Sequence, residues 1–409
     1  MKPPGPHATL FLDVGRIFTS ESPTESAVLS GVGLAVEDGR VADIADDGAL
    51  RDRFPDAGRV DCHGGVLTPG FVDSHTHAVF GAWRAAEYVL RSRGLPYMEI
   101  ARRGGGILAS VRDLRDRTQG ELEAVSRPRL LEMLRLGTTT AEVKSGYGLE
   151  TEAELKTLRA IRTLAGEGPM DLVPTFLGAH EVPAEYRDRP DDYVDLVIHE
   201  MIPAVAAAGL ARFCDVFMEP GVFTVAQTRR ILEAGLSHGL TPKLHADELE
   251  WSGGAELAAR LGAASADHLG AIGEEGIRAL AGSQTVATLL PGTLFFLGKS
   301  RQAPARRLRE AGAIVALATD FNPGSSPSPS MPLILTMACS QLGLDPYEAI
   351  HAATAAGAQA LRLTDGRGTL RIGAPADLIW WAVEEVAEVP YRYGRPPIEG
   401  VWKRGTRVH

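Results

Sequence analysis

Short apolar runs alternate with longer amphipathic stretches through most of the chain. Between residues 71 and 363, eight runs have strand length and strand composition: 71–77, 138–143, 171–179, 213–218, 242–246, 264–268, 285–290 and 314–319. Between them the period changes. Residues 152–164 place apolar side chains at Leu155, Leu158, Ile161 and Leu164, one face of a helix. Residues 229–234 and 255–261 carry shorter versions of the same pattern. Strands that alternate with helices predict a parallel sheet. Eight such units predict a (β/α)8 TIM-like barrel, an α/β fold.

The two ends lack the helical period. Residues 28–36 are apolar with interspersed glycines, Glu37-Asp38-Gly39-Arg40 reads as a hairpin turn, and 41–44 continues as a strand. Near the other end, 376–383 contains two tryptophans and 401–408 is a further strand candidate. Neither end is long enough to bury a core alone. Together they predict one small composite β-sandwich domain, 1–68 with 366–409, beside a barrel spanning 69–365. No repeat of fixed period and no low-complexity linker divides the chain. The one biased patch, Ser325-Ser326-Pro327-Ser328-Pro329-Ser330, reads as a surface loop.

Charge narrows the class. Acidic side chains outnumber basic ones 52 to 42, for a net charge of −10. Such a chain has no global positive field for nucleic acid or an anionic membrane, which points to a small-molecule partner. No apolar run reaches the ~20 residues of a membrane helix. No apolar segment follows the charge at the N-terminus, so no secretory signal is expected. Cys62, Cys214 and Cys339 are odd in number and widely spaced, without a CxxC. They read as thiols in a reducing compartment rather than disulfides or a zinc knuckle, and the protein is expected to be cytoplasmic.

In a barrel of this kind chemistry gathers at the C-terminal strand ends. Those ends carry His75 and His77, Lys144, His180, Glu219, His245, His268, Pro291 and Asp320, including five of the 11 histidines. On a strand, His75 and His77 project to one face and could ligate one divalent ion. His245 is a third ligand candidate, though an isolated histidine is more often a core residue. Asp320 is a fourth, though an aspartate before Asn-Pro is common in turns. Three imidazoles and a carboxylate leave a position for water, whose pKa bound zinc lowers to about 7. His268 reads as a further imidazole or a proton shuttle. Glu248 could meet a substrate nitrogen, although a solvated glutamate is the commoner case. Arg84, seven residues past His77, could clamp a carboxylate bidentately, against the simpler reading of a surface arginine. Lys144, in Lys144-Ser145-Gly146-Tyr147-Gly148, reads either as a carbamylated bridge between two metals or as an electrostatic anchor. Tyr147 would present its hydroxyl near the mouth. Gly104-Gly105-Gly106 lacks a P-loop context and reads as a mobile loop over the mouth.

These motifs carry a family resemblance over nearly the whole chain. PGFVDSHTH, PKLHADE, DHL and LATDFNPG resemble the amidohydrolase superfamily. EVKSGYG, FLGAHEVP, KLHADELEWSGGAELAARLGAASADHL and TDFNPGSSPSPSMPLILTMAC are more narrowly similar to the imidazolonepropionases of histidine degradation. The resemblance implies one Zn2+ or Fe3+ ion per chain, held by His75, His77, His245 and Asp320. It implies substrate contacts from Arg84, Tyr147, His180 and Glu248, and from Asn322, Gly324 and Ser325, with Tyr97 assisting Arg84. It implies that His268 helps activate the attacking water, with Asp320 and Glu248 moving protons, and that the protein is a homodimer. The reaction implied is metal-dependent hydrolysis of the cyclic amide of 4-imidazolone-5-propanoate to N-formimidoyl-L-glutamate. In that setting Lys144 reads as structural or substrate-near. Three other readings stand beside this one: a heterocyclic-base deaminase, which needs no Arg84 clamp; a binuclear cyclic amidase, which needs Lys144 carbamylated; and a non-catalytic barrel, which should have lost metal ligands.

Overall fold

A computed structural model describes residues 8–95, 99 and 104–409. Eight parallel strands follow one another around a barrel: Phe71–Asp73, Thr138–Lys144, Asp171–Ala179, Phe213–Met218, Leu244–Ala246, Ser265–His268, Val286–Leu289 and Val315–Leu317. All eight coincide with the runs expected from sequence: two match in full, one extends by a residue, and five are shorter at one or both ends. The strand Thr138–Lys144 is buried at every position, as a parallel strand covered on both faces must be. The run 242–246 is interrupted at Lys243, leaving Thr241–Pro242 as a separate short piece.

The first strand leaves the regular ladder at Asp73, earlier than expected, because residues 74–77 turn to meet the eighth strand. Asp320 N–H donates to the His75 carbonyl (3.0 Å) and His77 N–H donates to that of Phe321 (2.9 Å). Below them, Asp73 accepts from Thr319 N–H (3.0 Å) and hydroxyl (2.6 Å). These bonds close the barrel. Helices alternate with the strands and are well terminated. Thr151–Glu167 extends the expected 152–164 helix. Gln119–Arg135 and Val225–Ser237 each begin with a reciprocal capping box, Thr118 with Glu121 and Thr224 with Gln227.

Strands from both ends build the second domain. One sheet runs Arg40–Ala45, Gly33–Glu37, Ala8–Leu12, Gly58–Asp61. The other runs Thr406–Arg407, Ile398–Lys403, Leu378–Trp381, Val66–Pro69, Arg16–Phe18, Val28–Leu29. Phe11 and Trp402, one from each sheet, meet edge to face at 5.0 Å. The expected hairpin at Asp38-Gly39 is present, with both residues at positive φ (50° and 76°). The expected strand 28–36 is corrected: it divides at Gly31 (φ 69°), and its two halves enter different sheets.

One loop expectation also changes. The Ser325–Ser330 patch is not an exposed loop, since Ser326 is buried and donates to the Thr319 carbonyl (2.7 Å). Ser330 caps the helix Met331–Gln341. Gly106 lies at the start of the helix Ile107–Asp116, and its N–H donates to Glu87 (2.9 Å). Cys62, Cys214 and Cys339 are all free thiols. Among the described residues no helix is long and apolar enough to cross a membrane.

Candidate active site

The closing contacts between the first and eighth strands aim His75 and His77 at Asp320. Both Nε2 atoms lie close to Asp320 Oδ1, at 3.5 and 3.6 Å. The fifth strand brings the His245 ring to 4.5 Å from that of His75 and 5.6 Å from that of His77. Three overlapping triads result, each with its ligand atoms within 4.8 Å: His75, His77 and Asp320; His77, His180 and His245; His75, His245 and His268. All six side chains are buried. His75 Nε2, His245 Nε2 and both His268 nitrogens have no hydrogen-bond partner among the described residues. Unpartnered buried imidazole nitrogens are costly unless something else takes their lone pairs, so this donor set fits a metal ion. Burial pushes His75, His77 and His268 well below the ordinary imidazole range, and takes His180 down to about 3. Neutral imidazole is the form that ligates.

A closed layer of charge underlies the triads. His75 Nδ1 meets Asp267 at 2.6 Å, and His245 Nδ1 meets Asp215 at 3.1 Å. Each carboxylate fixes the ring so that Nε2 faces the centre. Lys144 pairs with Asp215 (2.6 Å) and Glu142 (2.9 Å), and Lys243 pairs with Glu142 (2.7 Å), all fully buried. Burial opposes a charge on Lys144, but Asp215, Glu142 and Asp267 outweigh it and raise its pKa. Lys144 is thus paired within this layer and anchors the carboxylate that orients His245.

Arg84 lies against the loop after the eighth strand. Its side chain is 7 % exposed, and its Nε and Nη1 are buried without a hydrogen-bond partner among the described residues. Among the described residues the nearest carboxylate oxygen, on Glu87, is 3.8 Å away. An arginine so placed fits an incoming carboxylate. Gly324 makes room for it: a Cβ there would fall 1.2 Å from Arg84 Nη2. Asn322 spends its amide on this loop, accepting from Gly324 N–H and Ser325 N–H (both 2.8 Å) and donating to the Asp320 carbonyl (2.6 Å). Asn322 and Ser325 therefore shape the loop that faces Arg84. Tyr147 is buried, its ring 5.8 Å from His77 and 5.3 Å from His180. Tyr97 lies outside the described residues. Glu248 is buried with Oε2 3.6 Å from His268 Nε2, so it shares this cavity.

Residues 66–409 match the amidohydrolase family. An imidazolonepropionase from Symbiobacterium thermophilum is 49 % identical over 392 residues, covering 95 % of this chain and 92 % of that protein. One from Herpetosiphon aurantiacus is 44 % identical, covering 98 % of each. The chain belongs to the imidazolonepropionase family of amidohydrolases. Solved structures share the fold at lower identity. An adenosine deaminase from Xanthomonas campestris, described with bound zinc, superposes with a TM-score of 0.74 at 20 % identity, covering 99 % of this chain and 93 % of that one. An Escherichia coli guanine deaminase gives 0.71 at 19 %, covering 100 % and 99 %.

For an imidazolonepropionase-family barrel, the supporting residues were the ones hardest to assign from sequence. Asp215 and Glu142 sit inside buried strands and Lys243 at the break between two strand pieces, and a charge there is itself a signal, because a buried charge must be paired. Asp267 was adjacent to a candidate and had no role. Glu154, fully buried, accepts from Gly146 (3.0 Å), Gly148 (2.7 Å) and Leu149 (2.8 Å) and so holds the turn that carries Tyr147. No spacing in the sequence points to it.

Proposed function

We propose that the protein hydrolyses the cyclic amide of 4-imidazolone-5-propanoate to N-formimidoyl-L-glutamate, a step of histidine degradation. Its relatives' names and the buried, unsatisfied Arg84 beside the histidine cluster support this reading. A propionate tail would give Arg84 Nε and Nη1 the hydrogen-bond acceptors that the Glu87 carboxylate, 3.8 Å away, does not supply, whereas a neutral heterocyclic base would offer no second anion there. His75, His77, His245 and Asp320 would hold one zinc or ferric ion. Such an ion supplies Lewis acidity toward water and toward the ring carbonyl. Arg84 and Tyr147 bind and orient the propionate. His180, kept neutral by burial and fixed by its Nδ1 contact with the Gly146 carbonyl (2.9 Å), borders the ring. His268 and Asp320 take the proton of the attacking water. Burial pushes Glu248 well above the usual carboxylate range. Protonated, it is a donor suited to the leaving ring nitrogen. We place the enzyme in the cytoplasm, in keeping with its free thiols, and as a homodimer, in keeping with the family resemblance.

The deciding experiment measures metal content per chain together with loss of 4-imidazolone-5-propanoate. One ion per chain, with turnover abolished by chelation, is the expected result. Two ions per chain, or a loaded protein that leaves this substrate untouched, would overturn the assignment. Light scattering of the purified protein checks the dimer.

A further inference from the structure

Glu219 ends the fourth strand and belongs to none of the histidine triads, yet it is buried at the barrel mouth. Its carboxylate accepts three consecutive backbone N–H groups of the loop after the fifth strand. Oε2 takes that of Glu248 (3.2 Å), and Oε1 takes those of Leu249 (3.2 Å) and Glu250 (2.7 Å). Gly270 restrains the same stretch through a second contact, packing so closely on the Glu248 carbonyl that a Cβ would stand 2.5 Å from that oxygen. Asp247, at φ 50°, turns its own side chain away to accept from Ser252, Gly253, Gly254 and Ala255. Thus Glu248 has its backbone N–H held by Glu219 and its carbonyl packed on Gly270, while its carboxyl lies 3.6 Å from His268.

We propose that Glu219 is a positioning residue for the reaction: it fixes the backbone of Glu248, and so the direction from which that carboxyl meets the substrate ring. The inference rests on the reading that Glu248 contacts the ring. Among the described residues the Glu219 carboxylate bonds to the backbone of 248–250 and to no candidate metal ligand. Its contribution should therefore vanish when Glu248 can no longer act, which a purely stabilising role would not do.

The test uses the metal-loaded full-length protein with five variants: Glu219→Gln, Glu248→Gln, the double variant, and Gly270→Ala with and without Glu248→Gln. Metal content, Tm, kcat and KM for 4-imidazolone-5-propanoate are measured for each. Glu219→Gln is expected to lower kcat by about tenfold or more, the order caused by small misplacements, with KM and metal content little changed. Added to Glu248→Gln, it should cause no further loss. An equal fold-loss in both backgrounds, or a loss that follows metal content, overturns the proposal. Gly270→Ala pushes on the Glu248 carbonyl and gives an independent reading if Glu219→Gln does not fold. It too should lower kcat only while Glu248 is intact, and equal losses would again overturn it. If the unsubstituted protein fails to turn over the substrate, the reaction and this inference fall together. Turnover with multiplicative losses removes only the role of Glu219.

Discussion

Gly324 shows how a missing side chain can define a binding group. Its absent Cβ would overlap Arg84, so the guanidinium can occupy that space only because this position is glycine. Gly324→Ala should therefore act as a substrate-binding variant, raising KM in the direction of Arg84→Ala. Removing one partner of a buried arginine–carboxylate contact costs about 2–5 kcal/mol, so Arg84→Ala should raise KM by well over tenfold. Both should retain a full complement of metal. Steady-state kinetics with metal analysis checks this, and an unchanged KM would remove Arg84 from the carboxylate site. His245→Ala should behave oppositely, losing the ion and the activity together. A fully metallated, active His245→Ala protein would strike it from the ligand set. The candidate ligands were legible in the sequence because each is a polar residue closing an apolar run. The Arg84–Gly324 contact was not, because it joins loops 240 positions apart in the chain and one partner contributes only empty space.

The strands act as aiming devices, and their ends break the alternation that makes them predictable. Asp267 and His268 are neighbours, so on a regular strand they would face opposite sides. Both nevertheless reach the barrel interior, because His268 and Leu269 adopt positive φ (79° and 60°) and turn the chain back. Asp320 (φ 51°) does the same after the eighth strand. This departure from regular geometry lets one strand supply both an imidazole at the centre and a carboxylate beneath it. Asp267→Asn should keep the fold yet weaken metal binding by about 10–100-fold, the usual cost of losing an outer-shell carboxylate. Competition with a chelator measures it, and wild-type affinity would show that His75 needs no such support.

Charged pairs link the two domains. Asp171 begins the third barrel strand and meets Lys403 (2.8 Å), Arg367 (2.8 Å) and Arg404 (3.2 Å) from the C-terminal part of the chain. Lys403 also pairs with Asp377 (2.6 Å). Burial works against the Asp171 carboxylate, but Lys403, Arg367 and Arg404 outweigh it and hold its pKa below the ordinary value. A carboxyl depressed in the folded state stabilises above its unfolded pKa, about 3.9, and loses that contribution as pH falls through its folded pKa. Asp171→Asn should therefore lower stability at neutral pH by about 1–2 kcal/mol. The deficit should shrink as the pH is taken below about 4. Denaturation of both proteins across that range checks the sign, and a pH-independent difference would refute it.

Local physics was enough to establish the order of strands and helices, the pairing of both termini into one small domain, and the concentration of imidazoles at the strand ends. Periodicity, turn chemistry and strand alternation act over a few residues, and a single chain displays them. Tertiary structure alone decided the rest. It split the run at Gly31 between two sheets, buried the serine-rich patch, and made Lys144 a paired ammonium. It also set Glu219 and Asp267 behind Glu248 and His75. Those outcomes depend on which charges and backbone groups meet across the barrel, where burial makes an unpaired group costly and so forces partners from distant strands together.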